Sequence, residues 1–273
     1  MSPLVARRTG FTVALLGVCA LTTGAWHLLE ISLHPAALYT GGLLLALVLA
    51  LTLFNARKKL PFLPLGNAAA WLQVHIYLGW FSLFVFLLHI HFRMPHGRLQ
   101  GTLAFVFCLV AFSGVFGLYI SRSLPPHMAR SGEPLIYERI PAYRLKIKGA
   151  VEDLIRKAES ETDSSTLGDY YIAHLRGYFD HIPSAPSALL NPKRALHGIL
   201  AGITALNRYL SPQEKEIAHE IGDWVETKQN LDFQYASQRL LKLWLFVHIP
   251  ATYALILLAL VHGYIAAIYA WRF

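Results

Sequence analysis

The sequence predicts an all-α membrane protein, with five transmembrane helices in one bundle and a mostly helical soluble insert between the fourth and fifth. Three observations lead there. Of the 273 residues, 55% are hydrophobic and 15% charged, with a positive mean hydropathy, a balance too apolar for an ordinary soluble domain. Five apolar runs each approach the roughly 20 residues that a bilayer core takes as helix. The charges lie elsewhere: residues 121–240 hold 15 Lys/Arg and 15 Asp/Glu, while none of the five runs contains Asp or Glu.

Residues 1–10 form a short basic head, and residues 11–29 the first span. A signal peptide would also place Arg7 and Arg8 before an apolar run, but no small-x-small cleavage site precedes a polar start, so a retained helix is expected. Residues 30–35, with His34, form a turn. The second span, 36–54, is followed by Asn55-Ala56-Arg57-Lys58-Lys59, a positive-inside signal. Pro61 and Pro64 separate it from the third span, residues 71–92, WLQVHIYLGWFSLFVFLLHIHF. A short loop containing Arg93, His96 and Arg98 leads to the fourth span, 102–120. There Gly114 and Gly117 leave room for a neighbouring helix or a flat cofactor to approach the backbone. Arg122 and Pro125-Pro126 are expected to end that helix.

In the insert, apolar spacing predicts helices over residues 142–161, 166–181 and 192–210, with a loop at Ile182-Pro183 and Pro186. Ser211-Pro212-Gln213-Glu214 reads as a capping box with proline at the first helical position. The helix it opens is expected to run toward Leu240 with a break near Asn230. Residues 243–270 are the fifth span. The organisation is therefore 1–120, 121–240 and 241–273. The net charge of +8 does not indicate nucleic acid, because the insert is neutral. The excess sits at span ends: Arg7, Arg8, Arg57, Lys58, Lys59 and Lys242 on one side, Arg93, Arg98 and Arg272 on the other. That bias predicts a cytoplasmic N-terminus and insert and an external C-terminus, as for a bacterial inner-membrane protein.

The chemistry lies in the histidines. His75 and His89 are 14 residues apart in the third span, and His248 and His262 are 14 apart in the fifth. Fourteen helical residues rise roughly 21 Å and return to within about 40° of the starting direction. Each helix thus presents two imidazoles on one side, one near each membrane face. Spans three and five are both odd-numbered and run parallel, so His75 is level with His248 and His89 with His262. Two stacked haems need just such a set, one imidazole from each helix per iron. The cysteines, Cys19 and Cys108, form no CxxCH, so the haems would be non-covalent b haems. His127, His174, His181, His197 and His219 in the insert show no ligand-like spacing.

His91 stands two residues beyond His89, about 200° round an ideal helix. It is a candidate for a haem propionate, for a quinone pocket with Arg93 and His96, or for water. Arg93 and Arg98 are candidate propionate partners outside. Lys242, Arg239 and the cluster Arg57, Lys58 and Lys59 are the inner candidates.

Residues 71–122 and 242–269 resemble the membrane di-haem cytochromes b. The paired histidine helices resemble those of bc-type cytochrome b, and their placement on spans three and five resembles the transmembrane domain of ferric reductases and NADPH oxidases. The resemblance implies bis-histidine, low-spin b haems that pass electrons across the bilayer. No flavin or nicotinamide segment follows the fifth span, and the helical insert is not a usual feature of those families. The expected electron partner is therefore a quinone or quinol together with another subunit, such as a multi-haem cytochrome c or an iron–sulfur protein. A haem-free, histidine-lined transporter is the alternative; it accounts for polar groups in the membrane but not for the doubled spacing. A di-iron oxygenase would need histidines three or four residues apart with carboxylates, which His89, His91 and His96 do not supply.

Overall fold

A computed structural model describes residues 3–59, 67–130, 135–190 and 192–270. The described residues are overwhelmingly helical. Five helices are long and apolar enough to cross a membrane: α1 (Pro3–Ile31), α2 (Ala36–Lys59), α3 (Ala68–His89), α4 (Arg98–Arg130) and the last, very long helix. Between the fourth and last come a single 3-10 turn (Tyr137–Arg139), α5 (Ile140–Thr162), α6 (Thr166–Tyr170), a π-helical segment (Tyr171–Leu175), α7 (Arg176–Asp180), α8 (Ala185–Leu190) and α9 (Pro192–Leu206). The last helix is α10 (Pro212–Ala270).

The chain divides into two compact units, Met1–Phe116 with Phe246–Phe273, and Gly117–Leu245. The divisions fall a few residues inside the spans read from sequence because α4 and α10 continue without a break. Each helix contributes to both units.

In the first unit, α3 starts on Asn67, whose side chain accepts the Ala69 N–H at 2.9 Å, the bond of an N-cap. It packs most extensively on α2. Leu47, Phe81 and Val85 form one cluster with Leu15 and Cys19 of α1 at its edge. Val48, Phe86, Phe107 and Leu255 form another, drawing together α2, α3, α4 and α10. Phe86 and Phe107 stack there with ring centroids 4.2 Å apart. Outward positions such as Phe105, Phe112 and Leu257 are strongly exposed. Exposure of large side chains along whole helices is what a lipid surrounding requires, since lipid tails are as apolar as the side chains.

The second unit has its own core. Ile147, Val151, Ile155 and Ala158 make one stripe along α5, and Ile217, Ile221 and Val225 one along α10. Removing each such Ile or Val side chain from water contributes about 1.5–3 kcal/mol. The capping box is formed in both directions: the Ser211 N–H donates to Glu214 Oε2 at 2.8 Å, and the Glu214 N–H donates to Ser211 Oγ at 3.3 Å.

Three expectations are corrected. Pro125 and Pro126 lie inside α4, which ends only at Arg130. Each proline forgoes one helical bond, to the carbonyls of Ser121 and Arg122, and those carbonyls lie at the polar end of the span, where water can take them. α10 does not break near Asn230: no glycine or proline stands between Gly222 and Pro250 to interrupt it. α3 stops at His89, so the third apolar run overshoots its helix. Ile90 is the C-cap, and His91 and Phe92 take left-handed φ of 52° and 53°. A helical phase for His91 therefore does not apply.

Candidate functional site

The four intramembrane histidines fall in the first unit, two on α3 and two on α10, and the fold brings His89 and His262 together. The imidazole rings of His89 and His262 lie side by side with centroids 6.3 Å apart and planes nearly perpendicular, at 83°. His75 and His248 each precede, on their own helix, the residue that helix gives to the cluster of Phe86 and Leu255. α3 and the membrane part of α10 thus run parallel. Leu255, halfway between His248 and His262, belongs to the apolar cluster that contains the Phe86–Phe107 stack.

The neighbouring helices fix which ring nitrogen carries the proton. His75 Nδ1 lies 3.2 Å from the carbonyl of Leu51 on α2. A carbonyl only accepts, so Nδ1 holds the hydrogen and Nε2 the lone pair. His248 Nδ1 lies 2.7 Å from Ser113 Oγ on α4. The Ser113 hydroxyl already donates to the Val110 carbonyl at 2.9 Å, so its oxygen accepts from the imidazole. His89 Nδ1 lies 3.2 Å from Thr40 Oγ1 on α2, and Thr40 likewise donates back to the Ala36 carbonyl at 2.9 Å. Three of the four histidines are thus held through Nδ1 by a group on a neighbouring helix. Metal-bound imidazoles are oriented in the same way.

These residues fit haem. His89 and His262 would be the two imidazoles to hold one haem iron. His75 and His248 would hold the inner group, His89 and His262 the outer. Among the described residues, no group of three or more His, Cys, Asp or Glu is placed to hold a metal ion; bis-histidine haem ligation asks for only two.

The remaining candidates lie apart. His91 is exposed, and its Nε2 sits 3.0 Å from Glu30 Oε1 at the end of α1, with the Trp26 ring edge-on at 5.7 Å. Arg93, His96 and Arg98 are exposed in the loop before α4 and in its first residue. Lys242 pairs with Glu138 Oε1 at 2.5 Å and lies over the Tyr137 ring; Arg239 is exposed. The side chains of Arg57, Lys58, Lys59 and Arg272 fall outside the described residues. Gly114 and Gly117 both face ring side chains of α10: a Cβ on Gly114 would lie 3.5 Å from His248 Cε1, and one on Gly117 would overlap the Trp244 ring.

Thr40, Gly41, Ser113 and the Leu51 carbonyl were not singled out by sequence reasoning. A hydroxyl residue on an apolar span is a visible signal, but its histidine partner comes from another helix and only packing reveals it. No protein-family model, curated protein or solved structure matches the chain. By fold it belongs among all-helical, multi-pass membrane proteins, with five candidate spans.

Proposed function

We propose that the chain is a di-haem b-type cytochrome subunit that carries electrons across the bilayer between a quinone or quinol pool and a partner redox protein. The observation that carries this reading is the approach of His89 and His262, ring centroids 6.3 Å apart, on two helices that each carry a second histidine 14 residues away. Each bound haem would supply a one-electron ferric–ferrous couple. The chain's residues supply the rest. Four imidazoles hold two groups at two depths. Leu51, Ser113 and Thr40 orient three of those imidazoles and raise their basicity. The apolar cluster between the two levels excludes water. Two histidines would hold each haem, a ligand set that would supply electron transfer rather than oxygen activation.

The same reading places the N-terminus and the insert on the cytoplasmic side of a bacterial inner membrane, from the cluster Arg57, Lys58 and Lys59. A reporter fused near Pro186 is expected to read cytoplasmic; an external signal would reverse the topology.

Paired substitution tests the function. His75→Ala and His248→Ala are expected to remove or convert one haem, and His89→Ala and His262→Ala the other, as read by redox titration with low-temperature spectra. If His75→Ala shared its phenotype with His262→Ala, the pairing would be refuted. If none of the four altered the spectrum, the haem assignment would fail.

A further inference from the structure

Two hydroxyl–glycine dipeptides stand against two of the paired histidines in the same way. On α2, Thr40 Oγ1 meets His89 Nδ1 at 3.2 Å, and a Cβ on Gly41 would lie 3.0 Å from His89 Cε1. On α4, Ser113 Oγ meets His248 Nδ1 at 2.7 Å, and a Cβ on Gly114 would lie 3.5 Å from His248 Cε1. Nδ1 and Cε1 are adjacent atoms on one ring edge. In both places the hydroxyl takes the ring N–H and the next residue, lacking a side chain, lets that edge come against the helix. One histidine is on α3 and the other on α10, and the two dipeptides come from different helices, so the repetition is not a consequence of one local packing.

We infer that Thr40-Gly41 and Ser113 are positioning residues that seat one imidazole at each haem site and set the redox potential there. The inference rests on the di-haem reading above. The hydroxyl oxygen directs its own hydrogen to a carbonyl one turn back, Ala36 for Thr40 and Val110 for Ser113, so it is oriented as an acceptor before the imidazole arrives. Accepting from Nδ1–H gives the ring more imidazolate character, which favours the ferric state and lowers the potential. The seats differ in tightness. At Gly41 even a methyl group meets the ring at less than ordinary contact distance, whereas at Gly114 it only touches.

The test uses the full chain in membranes, with redox titration and electron paramagnetic resonance of the ferric haems. Thr40→Val is expected to raise the potential of the haem that His89→Ala removes and to leave the other unchanged; Ser113→Ala should do the reverse. Each tenfold loss of ferric over ferrous preference reads as about 59 mV for a one-electron couple. Thr40→Ser and Ser113→Thr keep the oxygen and should keep both potentials. Gly41→Ala should shift the resonance of the outer haem, because ring orientation sets its anisotropy, while Gly114→Ala should leave the spectrum alone. Equal shifts of both haems, or none, in the hydroxyl variants would overturn the inference while leaving the di-haem reading intact. A wild-type chain without haem would instead refute the reading itself.

Discussion

A histidine in hydrocarbon is costly unless its polar atoms are engaged. Three of the four intramembrane histidines have Nδ1 hydrogen-bonded to a group on a neighbouring helix, and the Leu51 carbonyl places the hydrogen of His75 on Nδ1. His91 shows the contrast. It follows the end of α3 in a left-handed conformation and turns to Glu30 and Trp26 of α1 rather than toward His262. His91→Ala is therefore expected to retain both haems with the midpoint potentials of the parent, measured in the same titration as the ligand variants. Loss of a haem in His91→Ala but not in His89→Ala would exchange their roles.

At the scale of elements, the spans were legible because about 20 apolar residues in a row have few alternatives. The approach of His89 to His262 was legible because 14 residues nearly complete whole turns of helix. The helix ends were less so. Pro125-Pro126 reads as a stop, yet a proline costs one bond and a restricted φ, and a helix near its polar end tolerates both. The seats on α2 and α4 were illegible because they depend on which helix faces which.

The insert's buried ion cluster was hidden for the same reason. Asp232 lies between Arg144 Nε at 3.2 Å and Lys228 Nζ at 2.5 Å. Arg144 and Lys228 both also donate to the His181 carbonyl, at 2.6 and 3.1 Å. Lys228 and Asp232 are visibly one helical turn apart, but Arg144 joins them from α5. Tyr178 lies beneath the Lys228 ammonium, and its burial beside the Asp232 charge holds its phenol well above the usual tyrosine range. Removing the single anion would strand two buried cations. Asp232→Asn is expected to destabilise the insert by about 3–5 kcal/mol, seen as an earlier thermal or urea transition of its helical signal. A change within a few tenths of a kcal/mol would show that water reaches the cluster.

At the scale of the molecule, two kinds of helical structure share one chain. In one unit the helices turn large apolar side chains outward and gather polar ring nitrogens inward, the arrangement of a protein whose solvent is lipid. In the other, apolar stripes point inward and charges outward, as in water. α4 and α10 take part in both, which explains why composition separates the units more sharply than secondary structure does. The inward polar groups are the feature that demands a function, and the proposed haems would account for them. The most direct test is the haem content of the purified chain, by pyridine haemochrome assay with a reduced-minus-oxidised spectrum. The account predicts two b haems per chain, both six-coordinate and both extracted by acid–acetone. A colourless protein, a ratio near one, or haem that stays attached through extraction would contradict it.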